Sequence, residues 1–422
     1  LIYDQTCAAE KRRRRKRRLM EDPNRRIFIN EAVCEGCGDC GKKSNCLSVI
    51  PLETEWGRKR AIDQSSCNKD FSCIKGFCPS FVSVIDANVR RPEATTTPEE
   101  LFDKLPRPVL VATLDRPYNI FVTGVGGTGV VTVGALIGMA AHLEGKGCSV
   151  VDMAGLAQKG GSVVSHLRIS EKPEQIHATR VSDAEADLIL GFDLVVTAGI
   201  EGLSKILPNH TKLLINAHES ITGHFTRNPD YIFPTAAMKE DILKKAENQQ
   251  LVEFIEATEL ATNLMGNSIL TNMFVVGYAL QKGLLPVSPD AMEEAIRLNG
   301  TTVTDNIIAL NWGRLAATDF ETVRQFAMKA KPIDPDHVIS ESFSEIIQRR
   351  TQFLTLYQDA SYAEHYANLM KKVREKEALF GSEKFSRATA QALFRLMAYK
   401  DEYEVARLYT DGNFQRRLHE EF

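Results

Sequence analysis

Asn119-Ile120-Phe121-Val122-Thr123 reads as a strand, and it runs straight into Gly124-Val125-Gly126-Gly127-Thr128-Gly129 and then a helical stretch from Val130 to Leu143. A glycine-rich turn between strand and helix lets backbone N–H groups and a helix N-terminus face an anion such as a pyrophosphate. Strand-length apolar runs recur at Ile120–Thr123, Ser149–Met153, Leu188–Ala198 and Lys212–Asn216, separated by longer helical stretches as far as about Thr318. That alternation predicts βαβ units, a mostly parallel sheet and hence a Rossmann-like α/β domain over residues 119–320.

A second polar, glycine-rich loop follows the second strand, Gly155-Leu156-Ala157-Gln158-Lys159-Gly160-Gly161, and enters another strand through Ser165-His166-Leu167-Arg168. Two such loops facing one site make Gly124, Gly126, Gly127, Thr128 and Gly129 the candidate cofactor-binding positions. Gln158, Lys159, Ser165 and His166 become the candidate catalytic residues; the plain alternative for these four is an ordinary surface connection. Asp152, at the end of the next strand, stands at about the spacing of a ribose-binding carboxylate, so a dehydrogenase binding NAD or FAD is the rival reading.

Upstream, Arg90–Pro108 carries Pro92, Pro98, Pro106 and Pro108 and reads as a linker, here bounded as 89–118. Before it, residues 27–88 hold seven of the nine cysteines. Cys34, Cys37, Cys40 and Cys46 form a C-x₂-C-x₂-C-x₅-C run, followed by Cys67, Asp70, Cys73 and Cys78-Pro79 as C-x₂-D-x₂-C-x₄-C-P. In bacterial ferredoxins three closely spaced thiolates hold three corners of a [4Fe–4S] cube and the Cys before Pro serves the other cube. By that exchange, Cys34, Cys37, Cys40 and Cys78 hold one [4Fe–4S] cluster, with Gly36 and Gly38 supplying the permissive backbone. The second set is Cys46, Cys67 and Cys73 with Asp70 where a cysteine would stand. An oxygen ligand binds iron less firmly than thiolate, so three outcomes stay open: an Asp-ligated cube, a three-iron cluster, or no second cluster. Zinc is the bland alternative and normally takes two C-x₂-C pairs rather than a triplet.

A cysteine cluster without a secretory signal favours metal or redox chemistry in a reducing compartment, so a cytoplasmic location is expected. The whole chain has 52 Lys+Arg against 55 Asp+Glu, a net charge of −3, which argues against a nucleic-acid binder. The basic run at 11–18 lacks interleaved aromatics and is expected to stay extended or on a helix surface. No apolar run reaches the roughly 18 residues of a membrane span. Leu1-Ile2-Tyr3 reads as a strand, and the chain ends inside a helical pattern near Phe422, so an internal segment of a longer polypeptide is expected. Beyond residue 320 strand signals stop and large apolar residues recur at helical spacing, giving a helical region over 321–422.

The order of these motifs resembles the 2-oxoacid:ferredoxin oxidoreductases. They are the ferredoxin-like cysteines, Gly124–Thr132, Glu144-Gly145-Lys146, Gly155–Gly161 and Ser165-His166-x-Arg168, and the resemblance is nearest to the fused indolepyruvate enzymes. It implies a gamma-type domain preceded by a small α+β ferredoxin-like domain and followed by a helical extension. By the same resemblance residues 1–26, with Tyr3–Glu10 and the basic run, are the end of a truncated thiamine-diphosphate-binding domain. The implied reaction is oxidative decarboxylation of a 2-oxoacid, an aryl pyruvate such as indolepyruvate, to an acyl-coenzyme A. The parent enzyme would use thiamine diphosphate and Mg, take coenzyme A as cosubstrate, and pass electrons to ferredoxin or a similar acceptor. A homo-oligomer is expected, with no nucleic-acid or membrane partner. The glycine loop would face anions of coenzyme A or of thiamine diphosphate. On this reading the segment alone lacks activity. A zinc-stapled dehydrogenase is the alternative.

Overall fold

The computed structural model describes residues 6, 8–90, 99–154, 161–220, 222–330 and 334–422. The expected strand at Leu1–Tyr3 lies outside them, as do the candidate residues Gln158 and Lys159. Two compact units form, each from several stretches of chain: Pro23–Asp63, Phe71–Val89 and Ile333–Phe422 make the smaller, while Leu1–Asp22, Gln64–Asp70 and Arg90–Pro332 make the larger.

In the smaller unit β1 (Arg25–Ile29) pairs antiparallel with β4 (Phe81–Ile85), and β2 (Val49–Thr54) with β3 (Gly57–Ile62). The β2–β3 turn is only Glu55-Trp56, and Gly57 follows it with φ +93°, a conformation a side chain would disfavour. Ile29, Cys34 and Val49 are buried together, with Cys40, Cys46, Ile62, Cys73 and Phe81 packed against them. The chain end supplies five helices, Phe343–Tyr357, Ala360–Ala378, Lys384–Met397, Glu402–Thr410 and Asn413–Glu421. Their starts follow from caps: Ser342 and Glu345 form a reciprocal capping box, and Asp359 and Asp401 accept backbone N–H groups. The core of the first three is Ile346, Leu354, Tyr366, Met370 and Phe394, and Trp56 of the hairpin turn stacks on Phe394 at 5.2 Å. The helical tail and the cysteine segment thus share one unit.

The larger unit is built on a six-stranded sheet in the order β10-β9-β8-β5-β7-β6. Its strands are β5 (Tyr118–Val125), β6 (Gly147–Ala154), β7 (Ser162–Ser170), β8 (Leu188–Gly191), β9 (Lys212–Asn216) and β10 (Val252–Ile255). Period-2 alternation puts Ile120 and Val122 in the core on one face and Phe121 in the core on the other.

Two expectations hold with an addition and one is corrected. First, the sheet is mostly parallel as expected, with one exception: β7 runs antiparallel to both β5 and β6 and separates them. The hairpin back from β6 fills the place a Rossmann unit gives to the next parallel strand. Second, the apolar run Leu188–Ala198 is not one strand, because Asp193 accepts the Val196 N–H and starts the helix Leu194–Thr197. Third, the basic run takes one of its two expected forms, the surface of a helix. Ala8–Lys16 is a helix, and Arg12 and Arg15 donate to the carbonyls of Ser66 and Asn68. Among the described residues no helix is long and apolar enough to cross a membrane.

Candidate functional site

In the smaller unit, Cys34 starts a loop in which Gly36 and Gly38 both have positive φ, +69° and +78°. A side chain at Gly36 would put its Cβ 2.1 Å from the Arg58 carbonyl oxygen, so only glycine lets the loop lie on the hairpin. In return the Gly36 N–H donates to Cys34 Sγ at 3.3 Å, the kind of backbone contact that favours thiolate sulfur. Cys34 is buried while Cys37 and Cys78 are exposed, and Cys78 Sγ lies 3.1 Å from Ser80 Oγ. Burial pushes the Cys34 thiol up, and the charge of Cys78 adds to this. Burial first, then Cys34 and more weakly Cys37, push Cys40 up to about 11. The four sulfurs of the first predicted ligand set therefore act on one another as neighbours. Uncompensated, Cys34 and Cys40 stay protonated, so a metal centre that took them as thiolates would release protons on binding.

Among the described residues no three of these sulfurs gather within 4.8 Å; the three metal-capable groups that do are Glu31, Asp334 and His337. There Arg417 already supplies the positive charge, 2.9 Å from Glu31 and 3.0 Å from Asp334. A cube, with iron and sulfide between its corners, takes its thiolates wider apart than a single zinc, whose sulfurs stand about 3.8 Å from one another. Donor chemistry, loop shape and surrounding charge fit a cube.

That charge was missed in the sequence. Lys59 and Arg60, 6% and 1% exposed, lie beneath the loop. Lys59 Nζ donates to the Cys34 carbonyl at 2.8 Å, and burial, then the charge of Lys400, bring its pKa down to about 8. Arg58-Lys59-Arg60 reads as a solvated strand edge; only the hairpin's docking under the loop buries it. Of the second predicted set, Cys46 and Cys73 belong to the smaller unit. Cys67 and Asp70 belong to the segment Gln64–Asp70 of the larger, where the Lys69 N–H donates to Cys67 Sγ at 3.4 Å.

In the larger unit the glycine loop caps the C-terminal end of β5, beside the point where the sheet changes direction. Gly127 and Gly129 take φ +90° and +99°. The Gly126 N–H donates to the carbonyl of Gly161, the described end of the second loop, at 2.8 Å. Thr128 spends its hydroxyl on the Val125 carbonyl at 2.8 Å, and Asn272 Nδ2 fixes the Thr128 carbonyl at 3.0 Å. Gly124 serves packing, since a Cβ there would stand 2.6 Å from Val130 Cγ2. A cleft of ≈ 240 Å³ opens on Val125, Gly127, Gly129, Thr132 and Val163. Asp193, also unforeseen, ends β8 next to β5; burial raises its carboxyl pKa, and its Oδ2 is buried without a partner.

Ser165 and His166 do not meet. They are consecutive on β7 and so point to opposite faces. Ser165 Oγ donates to Asp152 on the side of the Val130–Leu143 helix, where a Cβ on Gly134 would come within 2.5 Å of it. Asp152 is therefore engaged, and β7 lies between it and β5, about 10 Å of sheet at two strand spacings. This removes the geometric basis of the NAD or FAD reading. His166 is 2% exposed against Phe121; its Nδ1 accepts the Val181 N–H at 3.1 Å and its Nε2 is buried without a partner.

Burial, then the charges of Lys205, Arg180 and Arg168, hold His166 down to about 4. The unfolded chain takes up this proton near 6.5 and the folded chain does not, so the unfolded state binds more protons as pH falls. The stability contribution is full above about pH 6.5 and is lost toward pH 4, by about 3 kcal/mol. Denaturant unfolding at pH 7 and pH 4.5 checks this: His166→Gln should shrink the difference between the two pH values, and an undiminished difference would contradict the assignment.

Two family models match the chain, pyruvate ferredoxin/flavodoxin oxidoreductase at residues 119–316 and a family of unknown function (DUF6537) at 343–422. An indolepyruvate oxidoreductase subunit IorB of Pyrococcus horikoshii is 30% identical over 209 residues, 48% of this chain and 98% of that protein. A pyruvate/ketoisovalerate oxidoreductase common subunit gamma of Thermococcus litoralis is 27% identical over 179 residues, 41% of this chain and 82% of that one. The crystal structure of pyruvate oxidoreductase subunit PORC of Thermotoga maritima is 18% identical, with a TM-score of 0.34 over 47% of this chain and 96% of that one.

Proposed function

Because the chain belongs to the pyruvate ferredoxin/flavodoxin oxidoreductase family, we propose that it is the electron-relay and gamma-type part of a 2-oxoacid:ferredoxin oxidoreductase acting on an aryl pyruvate such as indolepyruvate. The observation that carries the relay is the Cys34–Cys40 loop, where glycine-only backbone, an N–H to sulfur and thiols that act on one another (Cys40 with Cys34 and Cys37, Cys34 with Cys78) coincide. Cys34, Cys37, Cys40 and Cys78 would hold a [4Fe–4S] cluster, a centre that accepts one electron at a time with little rearrangement. The second predicted set, with Asp70 in place of a cysteine, stays open to an Asp-ligated cube, a three-iron cluster or none, which iron counting decides. Burial of Cys34 keeps one corner dry, while exposed Cys37 and Cys78 leave the opposite edge open to an electron carrier such as ferredoxin.

In the larger unit, the Gly126–Gly129 backbone and the Val130–Leu143 helix N-terminus favour a phosphate group, of coenzyme A or of thiamine diphosphate and its Mg. Gln158 and Lys159, outside the described residues, would be catalytic residues of the second loop. Ser165 would act by holding Asp152, and His166 as neutral packing.

Anaerobic purification with iron and acid-labile sulfide analysis tests the reading. Two clusters give about seven or eight irons per chain and one gives about four. Asp70→Cys should raise the count to eight by replacing a labile oxygen ligand with thiolate. Four irons in both proteins would remove the second cluster, and colourless protein holding zinc would overturn the relay altogether.

A further inference from the structure

Lys59 is an ammonium 94% removed from solvent, since it is 6% exposed. Among the described residues it forms no ion pair: its hydrogen bond runs to the Cys34 carbonyl, and the nearby Glu35, which attracts it, is bonded by Lys400 at 2.7 Å. Lys400 Nζ donates to the same Cys34 carbonyl at 3.3 Å, so two ammonium groups converge on one backbone oxygen. Arg60 is 1% exposed and lies among Cys34, Cys37 and Cys40, donating to the Lys59 carbonyl at 2.9 Å. Burying the Lys59 ammonium this way costs free energy unless an anion completes the site. Beside a loop of three thiols with Cys78 as their predicted fourth, that anion is the thiolate-bound centre itself.

We propose that Lys59, assisted by Arg60, is a positioning charge that raises the reduction potential of the iron–sulfur cluster held by the Cys34–Cys40 loop. This rests on the relay reading above. Reduction adds one negative charge, and a fixed positive charge in a low-dielectric surround favours the reduced form. An exposed lysine would do little, because solvent and salt screen it. Lys42 and Lys43, exposed on the helix Asp39–Ser44, are the comparison. The same charge holds the loop through the Cys34 carbonyl, so a neutral side chain of similar length separates the electrostatic effect from the packing one.

The test is a redox titration of the full chain, purified anaerobically, with dithionite as reductant and the reduced-cluster electron paramagnetic resonance signal as readout. Lys59→Met should lower the reduced-to-oxidised ratio at a fixed potential at least about tenfold, equal to a shift of 59 mV for a one-electron couple. Lys59→Arg should restore most of it, and Lys43→Met should change the ratio less than about twofold. Iron content is measured in each protein. Wild type without iron would sink the relay reading, whereas full iron and an unmoved potential in Lys59→Met would overturn this inference alone. If Lys59→Met fails to retain iron, Arg60→Lys provides the second test: it keeps the charge and must leave the potential within about 20 mV of wild type, about a twofold ratio. A larger shift there would also overturn the role of fixed charge.

Discussion

Cys37→Ala is expected to abolish the electron paramagnetic resonance signal that dithionite develops in the first cluster, and to remove about four irons per chain. The size of the effect comes from the chemistry of a cube corner. No neighbouring oxygen or nitrogen replaces a thiolate of equal softness, and a cluster left with three protein ligands opens to solvent and oxidation. Cys37 is the informative choice because it is exposed. Cys34, at 7% exposure, packs with Ile29 and Val49, and its loss would confound ligand removal with core damage. Circular dichroism of Cys37→Ala should therefore stay that of wild type prepared without iron. A surviving signal with unchanged iron would take Cys37 out of the ligand set.

How far the sequence reached can be judged residue by residue. The strand, glycine turn and helix at 119–143 were legible because local chemistry alone dictates them: Gly127 and Gly129 need positive φ, and Gly124 admits no Cβ against Val130. The cysteine loop was legible for the same reason, with Gly36 pressed onto Arg58. What was not legible depends on partners distant in the chain. β7 alternates as any half-buried strand does, and its direction is set by the hairpin from β6, which no residue in it announces. Ser165 and His166 looked like one site because they are adjacent, although period-2 geometry separates the side chains of any two consecutive strand residues. Arg12 and Arg15 find backbone carbonyls at Ser66 and Asn68, and carbonyls carry no sequence identity. Lys59 and Arg60 look like surface charge until the loop covers them.

The same blindness to distant partners hid the residue pair on which stability of the smaller unit should depend most. Glu55, in the two-residue turn of the β2–β3 hairpin, and Arg350, in the Phe343–Tyr357 helix, have side chains 2% and 4% exposed and form an ion pair. Arg350 also donates to the Glu55 carbonyl at 3.0 Å, and the second Glu55 oxygen accepts the Ser340 N–H at 2.7 Å. The guanidinium lies 5.7 Å from the Trp56 ring centroid and 5.4 Å from that of Phe394, which adds cation–π attraction. Removing Arg350 leaves buried Glu55 with the Ser340 N–H and the longer, 3.8 Å contact of Arg349 as its remaining compensation. Arg350→Met should therefore cost about 3–5 kcal/mol, more than the lost pair itself is worth. Arg350 Nε is already buried without a partner, so part of the desolvation cost is present in the wild type and is relieved by the change. The decisive comparison is the double variant Glu55→Gln with Arg350→Met, which removes both charges and keeps most of the volume. It should be more stable than Arg350→Met alone by at least about 1 kcal/mol, a coupling only an interacting pair produces. Denaturant unfolding followed by tryptophan fluorescence, in a Trp312→Phe background, measures wild type, both single variants and the double. A loss below about 1 kcal/mol in Arg350→Met, or additive effects in the double variant, would show that packing of Trp56 and Phe394, rather than the buried charges, holds the hairpin turn to the helix.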